Sequence, residues 1–428
     1  MKTELQKFDS YSLASITATG SKIAKLKVSV DIHTENSPQI QATNLVLADA
    51  LLSGAGEYSR DEFLHEVNKL GATIDVTTSQ GSVTFTLKGT ETVFPKLLQL
   101  FEVMVTKPTF SSKELKRIKT TTKNGLHQAR EDSKGAALDN LRNLFYGNED
   151  RHFSYSIDEL IKAVDSLSGT HLKQAHKLIS TREWFATVGG GKKVVQEAQK
   201  TIEKIRKNTK PDNSVVTNQT KNSKPTLKLE DIPSRQNIDY SIGTAIPLEV
   251  TDPEYVPLSF GIAVLAKWGG FAGRLMSTVR ELEGLTYGIY GRLEGIHGQE
   301  TGYFRIMTFF APEKSKQALT STFREITTIY KKGITDKEFK RFKTILHTGQ
   351  ALLNDSLTRQ LGDLHAYHHA GFTLEEMREH KEKIHSVTKK EVNAAIKKYL
   401  DPKNMSVSGA GPTKAVRKEL ESWYKSVS

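Results

Sequence analysis

Polar and apolar residues alternate strictly along Ile23-Ala24-Lys25-Leu26-Lys27-Val28-Ser29-Val30, within a stretch (8–35) of similar texture, and this period of two predicts a strand with one buried face. The period then changes. Leu45, Val46, Leu47, Ala48, Ala50, Leu51 and Leu52 make Asn44–Ser53 a largely apolar helix, and Ser59 can cap a second helix over Asp61–Leu70 that Gly71 stops. Thr73–Val76 and Ser82–Leu87 return to strand character and can pair around Gly81. An amphipathic helix follows at Val93–Val105, ended before Pro108. Ser111 or Ser112 caps a Lys- and Arg-rich helix reaching about Gln128. Further helices are predicted at Ala136–Leu144, Ser156–Ser166 and Gly169–Ile179, before a strand Trp184–Val188 whose Gly189-Gly190-Gly191 end is expected to close a turn.

Between about Asn208 and Gln236 the chain loses periodicity and becomes polar and proline-containing, the composition of a linker. Beyond it the earlier order returns. FSSKELKRIK at Phe110–Lys119 matches ITDKEFKRFK at Ile334–Lys343, an offset of 224, while VDSLSGTHLKQA at Val164–Ala175 matches IHSVTKKEVNAA at Ile384–Ala395, an offset of 220. Gly189-Gly190-Gly191 recurs as Gly409-Ala410-Gly411, again 220 residues on. Segments holding nearly one offset across the chain mark a duplication. The pattern predicts an α+β protein of two homologous domains, 1–207 and 237–428, joined by a linker at 208–236, each a mainly antiparallel sheet covered by helices.

Composition narrows the function classes. With 428 residues and 37% hydrophobic content the chain can bury a core in each domain. The best apolar run, Phe260–Ala266, falls far short of the roughly 18 residues that cross a membrane, so no membrane partner is expected. The N-terminus lacks the apolar centre of a signal peptide, which fits a cytoplasmic protein or a periplasmic one whose signal has been removed. The absence of cysteine excludes disulfides, thiolate zinc sites and a cysteine nucleophile. The net charge of +12 is spread over helix faces such as Lys113-Glu114-Leu115-Lys116-Arg117, without a basic block interleaved with aromatics, so no nucleic-acid partner is expected.

The densest concentration of candidate chemistry is Trp268–Tyr290, WGGFAGRLMSTVRELEGLTYGIY. Gly269, Gly270 and Gly273 form a flexible turn; a short amphipathic helix follows with Leu275, Met276 and Val279 on its apolar side; Gly284 breaks it before an extended run starting Leu285-Thr286-Tyr287. Arg280 in the last helical turn and Tyr287 on the emerging strand bracket that corner, with six residues between them. A fixed-charge fork beside a phenolic donor suits a peptide carbonyl or a developing oxyanion. The plain alternative is that the arginine only complements a helix dipole and the tyrosine only packs.

A duplicated α+β unit whose second copy carries this glycine-rich turn, an Arg and then a Tyr resembles the pitrilysin/insulinase (inverzincin) metallopeptidases, whose zinc motif is H-x-x-E-H. The resemblance spans the full length, and Arg274-Leu275 and Gly284-Leu285 add to it. It implies that two-domain halves pair into a clamshell, one half holding zinc and the other supplying Arg280 and Tyr287 to the substrate. Reading back from Gly54, the motif's slots fall on Leu45-Val46-Leu47-Ala48-Asp49, and the further glutamate ligand falls near Leu126. Leu45, Ala48, Asp49 and Leu126 cannot supply three zinc ligands, no general base stands among them, and H-x-x-E-H occurs nowhere in the chain. The resemblance therefore implies a bacterial-type, non-catalytic subunit that binds no cofactor of its own. Zinc would sit in a homologous H-x-x-E-H partner, forming a heterodimer that cleaves unfolded peptides, with Gly269, Gly270 and Gly273 guiding substrate. The alternative is an inactive scaffold or peptide-binding protein of the same fold, possibly homodimeric.

His365, His368 and His369 stand on a predicted helix, with His365 and His369 on one face as a metal pair requires, but no third ligand is evident, and histidines in the last turns of a helix ending at Gly371 are explained by the helix dipole. His65-Glu66 begins like a zincin motif, but Lys69 occupies the second histidine's place.

Overall fold

The computed structural model describes residues 2–427 apart from 80, 213, 215, 217, 218, 222, 223 and 354. It divides into two compact units, residues 1–126, 155–216 and 351–377 in the first and 127–154, 217–350 and 378–428 in the second. Each half of the sequence thus contributes a segment to the other half's unit.

The first unit is built on a six-stranded sheet in the order β1-β2-β8-β3-β7-β6, from strands β1 (Lys2–Lys7), β2 (Tyr11–Thr17), β3 (Ile23–Asp31), β6 (Thr73–Ser79), β7 (Ser82–Thr90) and β8 (Trp184–Gly190). Only β2 and β8 run parallel. A small hairpin, β4 (Gly54–Ala55) and β5 (Tyr58–Ser59), stands apart. The strict alternation in β3 does what it predicts: Ala24, Leu26, Val28 and Val30 are buried, as are Val83, Phe85 and Leu87 on β7. Over this face lie α1 (Pro38–Leu51), α2 (Arg60–Lys69), α3 (Phe94–Thr106), α4 (Ser112–Ala129), α6 (Ile157–Ser166), α7 (Gly169–Thr181) and α8 (Lys192–Arg206). Phe101 meets Phe85 edge-on at 5.5 Å and Trp184 at 6.2 Å, spacings favoured by aromatic quadrupoles.

The second unit repeats the plan. Its five-stranded sheet runs β11-β12-β10-β13-β9, from β9 (Leu227–Asp231), β10 (Ile238–Ile246), β11 (Ile289–Glu294), β12 (Gly302–Phe310) and β13 (Ser406–Gly411), with β9 and β13 the parallel pair. Ile238, Tyr240, Ile242, Phe304, Ile306 and Phe310 face a core completed by α9 (Tyr255–Ala266), α10 (Ser315–Lys332), α11 (Asp336–Leu353), α14 (Lys389–Tyr399) and α15 (Arg417–Val427). The remaining helices are α5 (Ser133–Phe145), α12 (Leu357–His369) and α13 (Leu374–Ser386).

The α+β reading of two homologous copies holds, and α5 and α12 show how closely they correspond: both their ends are offset by 224 residues. Each covers the polar face of the sheet in the unit opposite to its half of the sequence. On the second unit's sheet, Ser133 of α5 donates to Asp239, Asn140 donates to Glu230 at 2.6 Å, and Leu141 and Phe145 pack with Tyr303. On the first unit's sheet, Leu361 and Leu364 of α12 pack on Ala14 and Ile16.

Several expectations need correcting. The segment 208–236 is not wholly linker: β9 lies inside it as an edge strand, while 213, 215, 217, 218, 222 and 223 fall outside the described residues. The glycines 189–191 do not close a turn; Gly191 is the N-cap of α8. The first helix starts earlier than its apolar run, at Pro38, because Ser37 accepts from the Ile40 amide and proline's fixed φ suits the first helical turn. Among the described residues no helix is long and apolar enough to cross a membrane.

Candidate functional site

The candidate chemistry of the second unit hangs on the end of α9. This helix is apolar on all sides and buried from Val256 to Ala266 apart from Ser259 and Ala263, so it is fixed in the core and its C-terminal exit is a rigid platform. Lys267 then bridges to Gly291 of β11, and the chain turns through Gly269 (φ +67°) and Gly273 (φ +120°). At Gly273 a Cβ would lie 3.1 Å from the Lys267 amide nitrogen and 3.2 Å from the Leu265 carbonyl, so both conformation and space demand glycine. Arg274 fastens the far end of the turn. Its Nε and Nη2 form a two-pronged contact with Glu338 at 2.6 and 2.8 Å, and Nη2 also donates to the Gly333 carbonyl at 2.9 Å.

The helix expected after this turn is present but wide: Met276–Leu282 forms a π-helix. The Glu283 amide donates to Thr278, five residues back, at 2.9 Å, and the Leu285 amide reaches Val279 at 3.0 Å across Gly284 (φ +62°). Leu275, Met276 and Val279 anchor its inner side in the core. π-Turns cost hydrogen-bond geometry and are retained mostly where they aim a side chain. Here the aimed side chain is Arg280, whose guanidinium carbon lies 4.6 Å from the Phe271 ring centroid and 5.0 Å from that of Tyr287. Arg280 and Tyr287 are therefore brought together, stacked rather than hydrogen-bonded.

Tyr287 is not on the strand, as its sequence position suggested; β11 begins only at Ile289. Gly284 takes up the reversal, and Thr286 and Thr308 tie the loop. The Gly288 amide donates to Thr286 Oγ1 at 3.2 Å, and Thr308 Oγ1 donates to the Gly288 carbonyl at 3.0 Å. The backbone is thus held while the phenol is left 73% exposed. Beside it opens a cavity of about 620 Å³, which Tyr287 lines together with Tyr290, Met307 and Phe309, with Lys134 and Arg235 also on its walls. Phe271 and the cavity residues were missed in the sequence. An aromatic residue within a glycine turn was the available signal for Phe271; Lys134, Arg235, Tyr290, Met307 and Phe309 come from a helix, a loop and two strands far apart in the chain and carried none.

The first unit holds the degenerate zinc slots. On α1, Leu45 and Asp49 are exposed and Ala48 is half-buried; Ala48 and Leu126 pack against the apolar core. Leu45, Ala48 and Leu126 are hydrocarbon and only Asp49 offers a donor, one where three protein ligands are needed, so the residues present do not fit zinc. The three histidines of α12 serve the sheet. His365 shares hydrogen bonds with Ser29 at 2.8 Å and Thr187 at 2.9 Å, and His368 with Ser12 at 2.7 Å and Thr187 at 3.3 Å, so both ring nitrogens of each are engaged. Burial pushes His365 down to about 2, helped by nearby Lys27, His369, His368 and Lys25, and pushes His368 down to about 4, helped by His369. Both rings are neutral at ordinary pH. His369 pairs with Asp31 at 3.2 Å.

Residues 15–154 match the insulinase family, peptidase family M16, and residues 171–346 match the peptidase M16 inactive domain. Helicobacter pylori has a relative described as the non-peptidase homolog YmxG, 20% identical over 366 residues, covering 83% of this chain and 81% of that protein. Among solved structures, a peptidase M16 inactive domain from Pseudomonas fluorescens superposes with a TM-score of 0.85 at 21% identity, covering 96% of this chain and 98% of the other. A structure described as a protease from Helicobacter pylori gives 0.80 at 12% identity, covering 96% and 99%. A conserved protein from Enterococcus faecalis gives 0.76 at 15% identity, with the same coverage.

Proposed function

This chain belongs to the insulinase (M16) peptidase family, with the fold of its inactive, non-peptidase homologues, and we propose that it is the non-catalytic, substrate-binding subunit of a heterodimeric zinc metalloendopeptidase. The observation that carries the reading is the pairing of Arg280 with the exposed Tyr287, which lines the cavity, in a chain whose zinc slots hold a single donor, Asp49. Catalysis would need a partner with H-x-x-E-H, which would hold the zinc. In such a complex the Tyr287 hydroxyl donates to the substrate carbonyl as its oxygen gains charge, an interaction stronger in the transition state than in the ground state. Arg280 fixes the phenol by stacking and keeps its fork available for peptide carbonyls, while the turn at Gly269, Gly270 and Gly273 gives extended backbone a close approach. The bacterial type and the unfolded-peptide substrates belong to the same proposal.

The description of the Helicobacter pylori relative as a non-peptidase homolog favours a second reading, a scaffold or peptide binder without any part in hydrolysis. One experiment separates the two. Cleavage of a quenched fluorescent peptide library is measured with this chain, with an H-x-x-E-H homologue from the same genome, and with their mixture, with and without chelator. Activity confined to the mixture and abolished by chelator is the expected result. A homologue fully active alone, or two chains that never associate, leaves the scaffold reading.

A further inference from the structure

The polar face of the first unit's sheet carries a second feature that the Arg280–Tyr287 site does not use. Lys25 and Lys27 stand two residues apart on β3, on the side opposite the buried Leu26 and Val28. Lys88 of β7 lies directly across from Lys25 in the antiparallel register. Like charges opposed on a sheet destabilise it, and folded proteins usually relieve them with a carboxylate close by. None does so here: among the described residues these three lysines take part in no ion pair. The charges around Lys25 and Lys27 that act on them are other lysines, and burial together with that repulsion lowers the affinity of both amines for protons. Asp75 on the edge strand β6 is opposite Thr86, which is in turn opposite Lys27, and its ion-pairing capacity goes unused. On the other side Lys25 and Lys27 neighbour Gly189 and Thr187 of β8. Helix α12 covers this face at Ser29 and Thr187 through the neutral His365 and leaves Lys25 and Lys27 half-buried and Lys88 exposed.

We propose that Lys25, Lys27 and Lys88 form a binding strip for an extended acidic peptide with carboxylates at alternate positions. Side chains two apart on a strand are separated by about 7 Å, and an extended peptide presents its own alternate side chains at the same interval, so a Glu-x-Glu segment can meet Lys25 and Lys27 in register while Lys88 closes on one of the two carboxylates. A peptide fits the strip better than a nucleic acid. Phe185, the aromatic ring close by on this face, is packed against His368 and His369 at 5.7 and 5.1 Å and offers no stacking platform for bases. The name of the occupant rests on the proposed peptide-binding role, but binding to this chain alone tests it, so an inactive mixture with a zinc homologue does not decide it.

The test is fluorescence anisotropy with this full chain and three labelled 12-residue peptides differing only in a Glu-x-Glu-x-Glu core, its Gln counterpart and its Lys counterpart, with labelled oligothymidylate as the fourth probe. We expect the Glu peptide to bind at least tenfold more tightly than the Gln peptide at low salt, with the difference shrinking as salt rises. Lys25→Gln/Lys27→Gln and Lys88→Gln remove most of that difference, whereas Lys331→Gln/Lys332→Gln, an equal charge loss elsewhere, keeps it. Because the substitutions relieve repulsion, the variants melt at the same temperature as the parent or higher, which separates lost binding from lost folding. Equal affinity for the Glu and Gln peptides, binding unchanged in the strip variants, or tighter lysine-dependent binding of oligothymidylate overturns the proposal.

Discussion

Helix α12 is held on its sheet by two histidines that must stay neutral, and this makes the first unit acid-sensitive by an amount that the structure sets. His365 and His368 are each 4% exposed, and burial depresses their proton affinities to about 2 and about 4, against an ordinary value of 6.5. In the unfolded chain both titrate normally. Above pH 6.5 neither state binds the protons and the stability is complete; as pH falls below 6.5 the unfolded chain takes up two protons that the folded one refuses, and stability is lost until the folded values are reached. Each histidine costs about 1.4 kcal/mol per pH unit in that window, so between pH 6.5 and pH 5 the pair removes about 4 kcal/mol. That is a large share of the 5–15 kcal/mol roughly typical of a domain. The assay is urea unfolding at pH 7, 6 and 5 for the parent and for His365→Gln/His368→Gln. The variant is less stable at pH 7, because glutamine does not reproduce the ring's two contacts, but its stability falls less on acidification, by about 4 kcal/mol at pH 5. Equal pH dependence in the two proteins refutes the argument, since other titrating groups are common to both.

The glycine-rich turn yields two further tests. Arg274→Ala should lower the stability of the second unit by about 1.5–3 kcal/mol, because Glu338 loses its two-pronged partner; Arg274→Lys should recover less than half, since an ammonium cannot hold both carboxylate oxygens and the Gly333 carbonyl, and thermal melting reads both. Gly273→Ala, at φ +120° with backbone 3.1–3.3 Å from the added carbon, should cost about 1–3 kcal/mol and expose the 268–275 turn to limited proteolysis, whereas a melting temperature within a degree of the parent refutes the claim of close approach.

The strands and helices with clear periods were legible from the chain itself. β3 and β7 have one apolar face each, and the paired segments at offsets of 220 and 224 mark the duplication in the chain itself. What escaped was structure whose signal lies in another segment. The pattern gave β3 one buried face and did not single out β10 at all, because nothing local tells that α12 and α5 arrive to cover Ser29 and Asp239 on the polar faces. The histidines of α12 likewise read as dipole complements, when Ser12, Ser29 and Thr187 are their partners. Strand β9, Leu-Lys-Leu-Glu-Asp, is five residues of edge with only two apolar positions, too little to stand out from the polar stretch around it. Arg280 and Tyr287 were found by their spacing, but the π-helix that directs Arg280 towards Tyr287 leaves no periodic mark in seven residues.

The central claim is that Tyr287 acts on substrate from a chain without the H-x-x-E-H motif, and the most direct measurement is kcat for peptide cleavage by the mixture of Tyr287→Phe with the H-x-x-E-H homologue, alongside the association of the two chains by analytical ultracentrifugation. Phenylalanine keeps the ring that Arg280 stacks on and removes only the hydroxyl. We expect undiminished association and a kcat lower by about 10²–10³, the usual cost of one oxyanion donor. Turnover equal to the parent's, in a complex that forms normally, contradicts the claim.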